Sequence, residues 1–346
     1  LKQREDRIPS HHRQALRAIE RCRTEALGGH IYQCQRCEET RYSYHSCRNR
    51  HCPKCQNEKA QQWLAAQEAL LLPTPYFLLT FTLPAALRDV ALRHQAFFYH
   101  LLFRTSAAAA QSLAQDPRFV GGQIGLIGVL HTWGRNLSYH PHVHYLVPAG
   151  GLSADAVTWL PARENFLLPV KALSRIFRAR FRQALQKTPH FDQIPAVVWR
   201  QEWVVHCEAV GSGSPALKYL APYIFRVAIT NNRILKLADG QVAFRYQASD
   251  TGKTTITTLS ALEFIRRFLC HVLPKGFVKI RYYGFFAAGC RQKLAAIRGQ
   301  LGDPPIEQLP ASCEPAAQPR HTIPCPSCGQ AMIRYQIILP RDREPP

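Results

Sequence analysis

Two short stretches of this chain carry residues whose types and spacing suit metal-assisted phosphoryl chemistry. In Tyr139-His-Pro-His-Val-His-Tyr-Leu-Val147 three histidines alternate, at positions 140, 142 and 144. Alternate side chains of a β-strand share one face, which leaves Val143, Tyr145 and Val147 for the core. His142 and His144 then stand about 6–7 Å apart, close enough for both imidazoles to reach one divalent ion. Pro141 keeps His140 extended but removes a backbone donor, so His140 belongs at the strand's beginning. A polar face turned to solvent is the competing reading. Imidazole does not by itself fix the metal, and the third ligand is open between His131, which closes the preceding strand, and His140. The second stretch is Ser214-Pro-Ala-Leu-Lys-Tyr-Leu-Ala-Pro-Tyr-Ile-Phe-Arg226. Tyr219 and Tyr223 lie four apart and share a face of a regular helix. On their own, paired tyrosines on a helix are packing or surface residues; the histidine strand gives them weight. A phenol can act as a covalent nucleophile when a metal organises the attack. Attack on a phosphodiester would leave a 5′-phosphotyrosine and a free 3′-hydroxyl, and the stored bond could be rejoined without ATP.

A third feature is structural. Of twelve cysteines, six lie between Cys22 and Cys55. Cys34-Gln-Arg-Cys37 and Cys52-Pro-Lys-Cys55 are two knuckles with 14 residues between them, a spacing that predicts one tetrahedral Zn²⁺ held by Cys34, Cys37, Cys52 and Cys55. Cys22, His30, Cys47 and His51 could form a second site, or Cys47 or His51 could replace one ligand of the first. Arg48, Arg50 and Lys54 sit on the same loop and suit phosphate contact, or face solvent. Cys325-Pro-Ser-Cys328 is half a knuckle, which Cys313 and His321 could complete.

The elements that must position these groups follow from pattern. Arg13–Leu27, Glu58–Leu72, Ala85–Gln115 (in one piece or two) and Leu262–His271 read as helices. Tyr76–Thr82, Ile124–Thr132, His142–Val147, Trp203–Glu208, Val227–Lys236, Val242–Gln247 and Thr254–Thr258 read as strands. Ser214 and Pro215 read as the cap and first position of the tyrosine helix. The order predicts an α+β domain with an antiparallel sheet over about residues 73–290. Trp133 and Tyr139 could stack bases or pack in the core. Arg226, Arg233, Arg266 and Arg267 could contact phosphates or serve structure. Tyr282-Tyr283 reads as packing. The Pro-rich tail from Pro304 reads as partly disordered except around Cys325–Cys328.

Composition narrows the function classes. Lys plus Arg number 44 against 23 Asp plus Glu, a net charge of +21. A field of that sign recruits polyanions, above all nucleic acid. No signal peptide and no bilayer-spanning apolar run is visible, so the expected location is the cytoplasm, with no membrane partner. The chain opens on Leu1 rather than Met, which reads as a fragment.

These strings resemble the HUH superfamily of single-strand nucleases, named for histidine, hydrophobic, histidine, here His142-Val143-His144. More closely they resemble rolling-circle insertion-sequence transposases that join such a domain to an N-terminal zinc-binding domain. The likeness extends over Cys22–His30, Ser46–Gln56, Leu130–Gly134, Lys218–Arg226, Phe264–Phe268 and His271–Phe277. It implies a five-stranded antiparallel sheet with flanking helices, preceded by a small zinc-binding domain. It implies Mg²⁺ or Mn²⁺ on His142 and His144, with Tyr219, Tyr223 or both as nucleophile. The implied substrate is single-stranded DNA at element ends and target, in a bacterial, nucleoid-associated setting. The expected organisation is a zinc-binding DNA-recognition domain over 1–57, a linker helix over 58–75, a catalytic domain over 76–300 and a tail over 301–346. Pro222 stands where similar proteins carry a basic residue. Proline inside a helix costs roughly 3 kcal/mol, so one active tyrosine is expected rather than two, and an impaired copy is conceivable. A plasmid replication initiator or relaxase with the same chemistry, and a catalytically silent zinc-dependent DNA-binding protein, are the alternatives. A three-histidine hydrolase of small molecules fits neither the charge nor the cysteines.

Overall fold

The computed structural model of the chain describes residues 8–225, 228–248, 251–302 and 323–341. In chain order the elements are α1 (Ser10–Arg21), β1 (Gly29–Cys34), β2 (Thr40–Tyr44), α2 (Asn57–Glu68), β3 (Tyr76–Thr82), α3 (Arg88–Arg93), α4 (Gln95–Ala114), β4 (Leu126–Trp133) and β5 (Tyr139–Pro148). There follow β6 (Gly150–Leu152), β7 (Trp159–Pro161), α5 (Val170–Leu185), β8 (Val205–Ala209), α6 (Ser214–Phe225), β9 (Ile234–Ala238), β10 (Gln241–Gln247), β11 (Thr254–Ser260), α7 (Ala261–Leu269), β12 (Ile280–Tyr283), α8 (Arg291–Gln300), β13 (Ile323–Pro324) and β14 (Ala331–Ile338). They divide into two compact units, Leu1–Glu58 with Glu307–Pro346, and Lys59–Ile306.

The larger unit is built on a five-stranded antiparallel sheet of order β12-β4-β5-β3-β8. Its two faces follow from the period-2 alternation of its strands. One face carries Phe77, Leu79 and Phe81 of β3 with Val143, Tyr145 and Val147 of β5, all buried in the main core. That face packs on α4 and α5, whose Phe98, Phe177 and Phe181 belong to the same core. On α5 the buried residues are Leu173, Phe177, Phe181 and Leu185, a strict four-residue spacing that puts one stripe against the sheet. Phe177 meets Phe81 and Trp203 at ring-centroid distances of 5.0 Å each. Gly128 of β4 lies opposite Tyr145 and leaves room for its ring; a Cβ there would come within 2.6 Å of that ring. The Tyr145 hydroxyl donates to the Phe103 carbonyl at 3.1 Å and lies 2.7 Å from Ser106 Oγ.

The other face carries Ile127 and Val129 of β4 and Leu146 of β5, which pack on Leu217, Leu220 and Ile224 of α6. The hydroxyl of Ser214, expected to cap α6, instead bonds Glu68 of α2 at 2.6 Å, and the Leu217 amide donates to the Gly213 carbonyl. Helix α6 continues past position 222 to Phe225. A separate three-stranded sheet, β11-β10-β9, leads into α7. There Ser260 accepts from the Glu263 amide, and the Glu263 carboxylate pairs with Arg266 and Arg267 at 2.6 and 2.8 Å.

The smaller unit holds a four-stranded sheet of order β13-β14-β1-β2. Strand β14 pairs antiparallel along the whole of β1, from Gly29↔Ile338 to Cys34↔Met332. The residues around Cys325–Cys328 therefore belong with the N-terminal cysteines, where a separate tail over 301–346 was expected. Within the tail expected to be partly disordered, Ala331–Ile338 instead forms β14, because it pairs along β1; positions 303–322 and 342–346 lie outside the described residues.

Candidate functional site

On the α6 side of the main sheet, strand register brings three histidines together. His131 of β4 lies directly opposite His142 of β5, and Val129 opposite His144. One nitrogen from each of His131, His142 and His144 lies within 4.8 Å of the others. His131 and His144 are buried and His142 is half-buried. Burial depresses all three pKa values, His142 to about 4, and the neighbouring histidine charges push His131 and His144 down further. The rings are therefore neutral at pH 7 and present lone pairs, the form a metal requires.

Hydrogen bonds on Nδ1 orient two of the rings. His142 donates Nδ1–H to the His140 carbonyl at 2.7 Å, leaving Nε2 as the acceptor. His144 Nδ1 lies 2.8 Å from Thr80 Oγ1 on β3; donation to that hydroxyl likewise leaves Nε2 for an ion. Such bonds on the far ring nitrogen orient histidine ligands. Of the two candidates for a third ligand, the structure brings in His131. His140 Nδ1 instead accepts from Arg88 Nη2, so its lone pair is already engaged. Arg88 was not singled out in the sequence, nor was Thr80. Only the pairing of strands shows that Thr80 faces His144.

Tyr219 stands at this site. Its ring meets His144 edge-on with centroids 6.5 Å apart, and the side chain is 49% exposed. Position 223 lies on α6, but its side chain, like Arg226, is outside the described residues. Helix α6 is held to α2 by the Ser214–Glu68 bond and by Lys218 Nζ 3.7 Å from the same carboxylate.

The cysteines assemble differently from the expected single set. Cys52 and Cys55 join Cys22 and Cys47, while Cys34 and Cys37 join Cys325 and Cys328. Sequence proximity favoured pairing the two nearest knuckles, but β1 and β2 form a hairpin that carries Cys34 and Cys37 to β14 instead. The described cysteines are all free thiols. In the first set Cys47 Sγ lies 3.8 Å from Cys55 Sγ, and the Cys47 and Lys54 amides point at Cys22 and Cys52 sulfurs at 3.4 Å. In the second, the backbone amides of Cys37 and Arg36 pull the Cys34 thiol down to about 6. Neither His30 nor His51 enters a set: His30 pairs with His45 at 3.4 Å, and His51 Nε2 accepts from Arg50. Cys313 and His321 lie outside the described residues.

Comparison with known proteins decides the family. A family model described as "Putative transposase" matches residues 125–293, and one described as "Transposase zinc-binding domain" matches residues 1–83. The chain is 41% identical to "Putative transposase y4qJ" of Sinorhizobium fredii (strain NBRC 101917 / NGR234), over 94% of this chain and 89% of that protein. It is 31% identical to the transposase for insertion sequence element IS801 of Pseudomonas savastanoi pv. phaseolicola, over 77% and 68%. The chain belongs to the IS91/IS801 transposase family. No solved structure matches it.

In this transposase the histidine cluster and Tyr219 fall inside the first matched segment, and Cys22, Cys47, Cys52 and Cys55 inside the second. The zinc-binding family and the tetrathiolate donor sets together support Zn²⁺ as a structural ion. Among the described residues no helix is long and apolar enough to cross a membrane. Of the basic candidates on the zinc loop, Arg48 and Lys54 are exposed and Arg50 is half-buried on His51. Arg233 spends its guanidinium on the carbonyls of Arg245, Ala228 and Arg135, and Arg266 and Arg267 are paired with Glu263. Trp133 stacks on His131 at 5.5 Å and carries Lys279 over its ring at 4.7 Å, while Tyr139 bonds Tyr99 at 2.8 Å. Both are packed side chains. Tyr282 and Tyr283 form part of β12, with the Tyr282 hydroxyl donating to Gln67.

Proposed function

We propose that this transposase cuts and rejoins single-stranded DNA through a 5′-phosphotyrosine intermediate, in rolling-circle transposition. The observation that carries the reading is the Tyr219 ring lying 6.5 Å from that of His144, beside three neutral imidazoles whose ligand nitrogens converge within 4.8 Å. His131, His142 and His144 would hold Mn²⁺ or Mg²⁺, which when bound supplies Lewis-acid polarisation of a phosphate oxygen. Three imidazole donors suit Mn²⁺ better than Mg²⁺, whose preferred ligands are oxygens.

The remaining steps belong to the chain's own groups. Tyr219 projects from α6 at a half-exposed position that an extended strand can reach. Its phenolic oxygen attacks phosphorus as the P–O3′ bond breaks; the phenol loses a proton and the departing 3′-oxygen gains one. The covalent 5′-phosphotyrosine conserves the phosphodiester bond until another 3′-hydroxyl attacks and restores the phenol. Arg88 holds His140, whose carbonyl orients His142. Arg88 therefore acts on the site as a positioning residue, through His140. Tyr223, Arg48, Arg50, Lys54 and Arg226 remain candidate DNA-handling residues. A chain of net charge +21 that acts on DNA would stay with the nucleoid.

The test is direct. The protein is incubated with end-labelled single-stranded element ends and Mn²⁺, denatured, and resolved for DNA-linked protein. A band that needs metal and vanishes in Tyr219→Phe is expected, with Tyr223→Phe assayed separately. A band that persists in the double substitution rejects the nucleophile assignment. DNA retention with no covalent band under any condition leaves a zinc-dependent DNA-binding protein.

A further inference from the structure

We propose that this transposase carries a second structural zinc ion held by both ends of the chain, on Cys34, Cys37, Cys325 and Cys328. Only Cys34 and Cys37 fall inside the matched zinc-binding segment, residues 1–83; the other two ligands lie far beyond it.

Four observations carry the site. The first is sulfur geometry. Cys34 Sγ lies 3.5 Å from Cys328 Sγ, and Cys37 Sγ lies 3.5 and 3.6 Å from Cys325 and Cys328. A tetrahedron with Zn–S bonds of about 2.3 Å has S···S edges of about 3.8 Å. The four sulfurs are thus spaced as ligands of one ion.

The second is the backbone. Both C-x-x-C loops close the same way. The Cys34 amide donates to the Glu39 carbonyl at 2.9 Å and the Glu38 amide to the Cys34 carbonyl at 3.0 Å. The Cys325 amide donates to Gln330 at 2.8 Å and the Gly329 amide to Cys325 at 2.9 Å. The residue after each second cysteine is left-handed, Glu38 at φ 59° and Gly329 at φ 74°. Glycine takes that conformation freely and glutamate does not. Two loops from opposite ends of the sequence thus adopt one knuckle geometry and face each other.

The third is the core. Cys34, Cys325 and Met332 form a small buried cluster, with Tyr32, Ile323 and Cys328 packed against it. So few apolar groups cannot hold a four-stranded sheet together unaided; small units of this kind need a metal or disulfide staple. The fourth is chain topology. Strand β14 lies along β1 and leads back from Cys328, so a metal at the knuckles pins the register that the strand pairing sets.

The proposal has a test that needs neither DNA nor Tyr219. Zinc per chain is measured by elemental mass spectrometry on protein purified under reducing conditions. Two zinc ions are expected, falling to one in Cys325→Ser/Cys328→Ser and to one in Cys52→Ser/Cys55→Ser. Because a serine variant could lose its fold, the native protein is also alkylated with a maleimide and mapped by peptide mass. Cys34, Cys37, Cys325 and Cys328 should be protected together and become reactive together on chelation. One zinc in the unsubstituted chain overturns the proposal. So does alkylation of Cys325 and Cys328 as fast as the half-buried Cys290, or a zinc count unchanged by loss of Cys325 and Cys328.

Discussion

Replacing Thr80 with valine removes one hydrogen bond from the histidine site at almost constant volume. Thr80 Oγ1 lies 2.8 Å from His144 Nδ1, on a strand position directly opposite. A hydrogen bond of this kind contributes about 0.5–1.5 kcal/mol net. Bonds on the far nitrogen of a ligand histidine typically govern about 10–100-fold in metal affinity. The two scales overlap near about 1.4 kcal/mol, a factor of about ten. Thr80→Val should therefore weaken Mn²⁺ binding by about tenfold, measured by titration calorimetry on zinc-loaded protein. Zinc content should not change. Thr82→Val is the matched control, since Thr82 lies opposite His142, whose Nδ1 bonds the His140 carbonyl instead. A Thr80→Val protein that binds Mn²⁺ within twofold of the parent refutes the argument that His144 is an oriented ligand.

Arg88→Ala should slow covalent adduct formation by about 10–100-fold with zinc content unchanged, because it frees His140, whose carbonyl orients His142; unaltered rates in a time course reject that role. Gly128→Ala should destabilise by about 1–3 kcal/mol through overpacking against Tyr145, seen as a lowered urea midpoint. His271 is buried between Thr132 Oγ1 and the Leu137 carbonyl, and burial pulls its pKa down to about 4. Its folded pKa lies below the unfolded value of about 6.5, so the stability it contributes is full above pH 6.5 and is lost as pH falls toward 4. The loss amounts to about 3 kcal/mol; His271→Gln should flatten the pH dependence of the urea midpoint across that window, and an unchanged slope counts against it. Mn²⁺ should also bind more tightly than Mg²⁺ in parallel titrations.

Much of the larger unit was legible because its signals are local. The run Tyr76–Thr82 is all β-branched, aromatic or leucine and forms β3 over those same residues. The alternation around His142 marks β5 and its core face. Helix α5 went unread, although Leu173, Phe177, Phe181 and Leu185 repeat every fourth residue; basic residues between them masked the stripe. Strand β12 is four residues long and half-buried throughout, too short for periodicity to distinguish it from packing. The partner of each half-knuckle was not legible at all. Spacing within C-x-x-C marks a ligand pair, but which pairs share an ion is decided by strand pairing between segments far apart in sequence. For the same reason His131 and His140 could not be separated until the register of β4 against β5 placed one at the cluster and the other on Arg88.

The strand pairing of β1 with β14 makes the smaller unit discontinuous, with the whole of Lys59–Ile306 inserted between its two segments. During synthesis Cys37 emerges 288 residues ahead of Cys325. At about 5–20 residues per second that is a wait of about 15–60 s. The sheet bearing the histidines can fold in that interval, while β1 stands with an unpaired edge. A prematurely terminated chain therefore leaves the ribosome with its histidine-bearing half formed and its cysteine-bearing half open.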